Sequence, residues 1–111
     1  MRNIEEIESD IETTRGIFEA ARDRLVALSL EHSSAVAKAT WPEGAELLYE
    51  AEYDSSESSH FPIPTGVIMA DGTYVDIDPA AETAELLRDD LEALCELDSG
   101  TYLSATSIVL V

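Results

Sequence analysis

Apolar residues recur at Ile4, Ile7, Ile11, Phe18, Ala21, Leu25 and Leu28, with Thr14 filling the one polar slot. The spacings alternate three and four without a slip, which is a heptad stripe on a helix. Asn3 followed by Glu6 forms a capping pattern that places the helix start at Ile4. The stripe extends through His32, Ala35 and Ala39, so the pattern predicts a helix over 4–39, about 54 Å long at ~1.5 Å per residue. A compact chain of this size has a radius of gyration near ~13 Å. The helix therefore overhangs its domain or breaks, with Gly16 and Ser33-Ser34 as the candidate breaks. Overhang suits a dimeric coiled coil, and a helix laid across a sheet fits the same stripe.

The period changes after Trp41-Pro42. Leu47, Tyr49, Ala51 and Tyr53 alternate with Glu46, Leu48, Glu50 and Glu52, which predicts a strand over 45–53. Thr40 and Glu43 also fit a helix cap, so this junction admits either element. Asp54 to Ser59 reads as a polar hairpin loop, and Pro62 and Pro64 make 61–65 an extended edge segment. Val67–Ala70 and Thr73–Ile77 flank Asp71-Gly72, the signature of a two-residue type I′ turn. That turn pairs Ala70 with Thr73, Ile68 with Val75 and Gly66 with Ile77. Asp78-Pro79 reads as cap and first residue of a second helix running to Leu97, with Gly100 as its stop. Thr101–Val111, apolar on both sides, reads as a buried strand, whose Val109-Leu110-Val111 end also suits strand addition to a partner. The whole predicts an α+β fold over 1–111 as a single domain. It has a long N-terminal helix, a three-stranded antiparallel meander, a second helix and a C-terminal strand, forming a four-stranded antiparallel sheet covered by helices on one face.

The segment Leu47 to Asp54, the polar turn, Thr65-Gly66-Val67 and Asp71-Gly72-Thr73 resemble a strand arrangement in small acidic uncharacterised proteins of actinobacteria and their phages. The resemblance covers about a third of the chain. It implies a bacterial host and no activity.

Charge changes the picture most. The 111 residues carry 24 acids against six Lys plus Arg, a net −18. Residues 1–14 hold five acids and one Arg, 15–40 are nearly neutral, and 41–100 hold sixteen acids against Arg88 alone. Such a charge disfavours direct contact with DNA, RNA or an anionic membrane and favours a basic protein surface. With no secretory or spanning pattern, the chain reads as a protein of the bacterial cytoplasm. Glu82, Glu85, Asp89, Glu92 and Glu96 fall on one face of the second helix, opposite an apolar face of Ala84, Leu87, Leu91, Leu94 and Cys95. Like charges at these spacings cost a helix ~0.2–0.5 kcal/mol per pair, and no lysine alternates with them. Glu46, Glu50 and Glu52 add carboxylates along the first strand at ~6.6–6.8 Å intervals.

These eight acids are the candidate partner-binding residues. Rows of carboxylates imitate a phosphate backbone. The function expected is a non-enzymatic acidic binding module, a nucleic-acid mimic of the anti-restriction or anti-CRISPR type occupying the basic site of a nucleic-acid-binding protein. The alternative is an accessory or adaptor homodimer joined through the heptad helix, with charge serving solubility. A third reading is adaptation to high salt.

Nothing in the chain fixes a reaction. Asp71, Asp76 and Asp78 lack the spacing and terminal Glu of a calcium loop, and turn and cap roles account for Asp71 and Asp78. His60, in a Ser-rich loop, has no nucleophile elbow beside it. His32 continues the heptad, and Cys95 reads as a small buried hydrophobe. No cofactor, metal or catalytic residue is implied.

Overall fold

The computed structural model describes residues 2–54, 56 and 59–111, and the side chains of Tyr53, Asp54, Ser59 and His60 lie outside the description. The elements are α1 (Ile4–Thr40), β1 (Gly44–Asp54), β2 (Ser59–Met69), β3 (Tyr74–Asp76), α2 (Glu82–Leu97), α3 (Ser99–Tyr102) and β4 (Ser107–Val109). The strands form one antiparallel sheet in the order β3-β2-β1-β4. This is the α+β fold that the periodicities predict.

Helix α1 begins where its cap dictates. The Asn3 side chain accepts a hydrogen bond from the Glu6 N–H at 2.8 Å. The helix then runs unbroken through both candidate breaks. At Ser33 the hydroxyl donates to the Ser29 carbonyl at 2.7 Å, so the serine is accommodated inside the helix. Its C-terminal third packs chiefly on α2, not on the sheet. The remainder overhangs: the molecule extends 62 Å along its long axis and its radius of gyration is 17.8 Å, against ~13 Å for a compact chain of this length.

Leu47 and Tyr49 of β1, Val67 of β2 and Ile108 of β4 point to one side, where Leu87, Leu91 and Leu94 of α2 close the core. Pro62 and Pro64 fall on the half of β2 beyond the reach of β3, which pairs only Gly66–Ile68. They therefore cost no ladder hydrogen bond on the open side. Thr65 forms a bulge opposite Leu48–Tyr49. Its carbonyl accepts from the Ile77 N–H and from the Tyr74 hydroxyl, both at 3.2 Å. Of the polar loop expected over 54–59, Ser55, Glu57 and Ser58 lie outside the described residues, and pairing reaches Asp54 opposite Ser59.

Four local expectations are corrected. The hairpin at Asp71-Gly72 has three loop residues, not two. Gly72 N–H donates to the Met69 carbonyl at 2.9 Å and Met69 N–H to the Thr73 carbonyl at 2.8 Å. Gly72 takes the left-handed backbone, φ +87°. A three-residue hairpin loop commonly closes on such a left-handed glycine. The register shifts by one, pairing Val67 with Val75 and Ile68 with Tyr74, and that shift exchanges the faces of β3. Tyr74 consequently lies over Gly66, where a Cβ would collide with the ring.

Asp78-Pro79 forms a turn ahead of α2 instead of its first residues. The Asp78 side chain accepts from Ala80 N–H and its carbonyl from Ala81 N–H, each at 3.0 Å, so the helix starts at Glu82. Gly100 lies inside the short α3, which Asp98 caps, and does not stop α2. The C-terminal segment is a helical turn followed by a three-residue edge strand. Ile108 and Leu110 are buried but Val109 and Val111 are exposed, so it is not a strand buried on both faces.

Candidate protein-binding surface

Helix α2 is the most strongly two-sided element. Its apolar residues sit in the core, and Glu82, Glu85, Asp89, Glu92 and Glu96 are all exposed on the opposite face. Over Glu82–Glu96 the ridge spans about 21 Å of helix axis, a length over which one strand of B-DNA carries about six phosphates. Glu82 and Glu85 lie in the first turn, where the helix dipole favours them, whereas no basic residue occupies the last turn beside Glu92 and Glu96. None of the five forms an ion pair among the described residues, and neither does Arg88. The one acid of α2 that is used internally is Asp90. It turns toward α1 and meets His32 Nδ1 at 2.6 Å, while Thr40 and Thr83 hydroxyls meet at 3.0 Å. These contacts fix the ridge relative to α1.

The three strand carboxylates lie elsewhere. Because Leu47 and Tyr49 face the core, alternation puts Glu46 and Glu50 on the opposite, helix-free side of the sheet. Glu46 is paired there with Ile68 and Val109, and Glu50 with Ile63. The structure thus brings together the five acids of α2 and does not join Glu46, Glu50 and Glu52 to them. The sheet face is a mixture of carboxylates and partly exposed Leu48, Phe61, Ile63 and Ile68. Tyr74 belongs to it. The adjacent Asp76 carboxylate first, then desolvation and the charge of Glu50, raise the pKa of its hydroxyl.

The remaining titratable candidates serve the fold. The Asp71 side chain accepts from the Thr73 N–H at 2.9 Å; interaction with the Thr73 hydroxyl first, and with this N–H second, lowers its pKa. Burial, then the nearby Glu92 charge, raises the Cys95 thiol and keeps it protonated. Tyr49 donates to the Tyr102 carbonyl at 2.7 Å, and burial pushes its hydroxyl up to about 12. His60 sits in β2, paired with Tyr53, and not in a loop.

A second surface runs along α1. The heptad residues Ile4, Ile7, Ile11, Phe18, Leu25 and Leu28 are all between 41% and 74% exposed. The helix docks instead through Val26, Leu30, Ser33, Ser34 and Ala37, on its other side. That face was readable as a second i, i+4, i+7, i+11 series, 26-30-33-37, but small residues at 33 and 37 hid it from a hydrophobicity pattern. Among the described residues no helix is long and apolar enough to cross a membrane.

Comparison with known proteins gives no match: no family model, no curated protein and no solved structure is similar to the chain.

Proposed function

We propose that this is a non-enzymatic binding module that sets the α2 ridge into the basic groove of a nucleic-acid-binding protein in a bacterial cell, as a nucleic-acid mimic would. The observation that carries the reading is the ridge itself: five exposed carboxylates in one line, without a basic neighbour paired to any of them among the described residues. A helix selected for stability alone would alternate lysine with such acids. Long-range attraction between the ridge and a basic groove speeds encounter and weakens as salt screens it. Because Glu46, Glu50 and Glu52 face the other way, the interaction is assigned to α2 and not to all eight acids.

The test is affinity capture from bacterial lysate with the chain and with the triple variant Glu85→Lys, Asp89→Lys, Glu92→Lys. The unaltered chain is expected to recover a nucleic-acid-binding protein and to release it as salt rises. The triple variant, with an unchanged circular dichroism spectrum, is expected to recover none. Equal capture by both chains overturns the proposal.

A further inference from the structure

We infer that α1 pairs with α1 of a second copy as an antiparallel two-stranded coiled coil. Three features call for a partner. Residues 4–25 are an overhanging helix with almost no tertiary support, and such helices are marginal in water even with favourable sequences. Gly16 and Thr13-Thr14 make this one less favourable still. Its apolar stripe is uncovered along its length. At roughly 200 Å² for a large apolar residue, the exposed fractions of the stripe and of Ile17 leave on the order of 800 Å². That exceeds the patches monomers usually expose and matches one partner's share of a standard interface.

The sequence of the stripe chooses the orientation. Placing Ile4 opposite Leu28 of the second copy sets Ile7 against Leu25, Ile11 against Ala21 and Thr14 against Phe18. Every large residue at the centre then meets a small one. A parallel pair would stack Phe18 on Phe18 between under-filled Thr14 and Ala21 layers. The flanking positions agree. In the antiparallel register Glu8 meets Arg22 of the second copy and Asp10 meets Arg24, each twice by symmetry. Among the described residues these groups have only local ion pairs: Arg2 contacts Asp10, and Arg22 contacts Asp23 at 3.4 Å. Ile17, exposed and off the stripe, meets Ile17 of the second copy across the dyad, whereas a parallel pair would set it against Arg22. One like-charged contact arises, Arg15 with Arg15, and Glu12 and Glu19 of the same helices lie one turn away.

Length and charge close the argument. The large apolar residues end at Leu28, where the docking face of α1 takes over at Val26–Leu30. The overlap of 4–28, about 37 Å, therefore uses the overhang and reaches the body only in its last turn, where Val26 and Leu30 dock through the other side of the helix. The two acidic bodies, each holding the sixteen acids of 41–100, stand at opposite ends; a parallel pair would press them together.

Light scattering and cysteine cross-linking test this on the full chain. The expected mass is twice 12.1 kDa, and Phe18→Asp is expected to weaken the dimer at least about 100-fold. Under oxidation, Ile7→Cys chains mixed with Leu25→Cys chains are expected to give a covalent dimer, and neither variant alone is. A strictly monomeric chain at sub-millimolar concentration overturns the inference. So does self-cross-linking of Ile7→Cys, which marks a parallel pair.

Discussion

The two parts of α1 invert the usual relation between hydrophobicity and burial. Residues 4–25 carry isoleucine, phenylalanine and leucine at regular spacing and bury none of them. The part that packs has Ser33, Ser34 and Ala37 as its only buried residues. Close approach of two helices needs small side chains at the contact, and α2 supplies the bulk from its own side with Leu87, Leu91 and Leu94. Ser34 contributes a polar tie as well, accepting from the Val111 N–H at 3.1 Å. A heptad marks where a helix can be joined. Its most buried face is decided by the shape of what it lies against.

The sharpest way to break this contrast is to truncate one leucine on each side of it. Leu91→Ala, in the fully buried face of α2, is expected to cost about 2–5 kcal/mol in urea unfolding. Leu25→Ala, measured on dilute monomer, is expected to cost no more than about 0.5 kcal/mol. Similar losses at both positions would mean that the stripe is packed after all. Enlarging the small-residue contact is next in size. Ala37 is wholly buried, so Ala37→Leu is expected to lower stability by about 1–3 kcal/mol through overpacking, and an unchanged midpoint would show that the α1–α2 contact is loose.

The smallest effect refines the body side alone. Tyr49→Phe removes one hydrogen bond to the Tyr102 carbonyl and is expected to cost about 1 kcal/mol. Burial pushes the Tyr49 hydroxyl up to about 12 in the folded chain, from the ordinary tyrosine value of 10.0 that it has when unfolded. Its contribution is therefore complete below pH 10 and declines as pH rises toward 12, because the unfolded chain releases the proton first. Thermal melts of the two chains through that window are expected to converge as pH rises. A constant gap between them would show that burial does not perturb Tyr49.

Much of this architecture is legible in the sequence because it is written in local rules. Asn3 fixes the start of α1, the alternation from Leu47 to Tyr53 fixes β1, and the three-four spacing from Ala84 to Leu94 fixes the buried face of α2. Two of the misreadings share a cause: each depended on a choice between local hydrogen bonds of similar strength. Asp71-Gly72 serves a two- or a three-residue loop, and the bulged Thr65 carbonyl, with its two donors from 74 and 77, selects the register that keeps Tyr74 over Gly66. Asp78-Pro79 suits a turn as well as a helix start. The candidate site was half visible. The α2 ridge follows from helical periodicity, but the separation of Glu46, Glu50 and Glu52 from it requires knowing which side of the sheet the helices cover. Only the burial of Leu47 and Tyr49 beneath α2 decides that.

The continuity of α1 has a mechanical consequence. A rod held at one end is a lever, and Ile4 stands about 33 Å from Val26, where the docked part of α1 begins. A tilt of about 10° of the docked part sweeps the tip through about 6 Å, about one helical turn. Substitutions as small as a methyl group at that contact therefore act at long range, on where the far end of the molecule is carried.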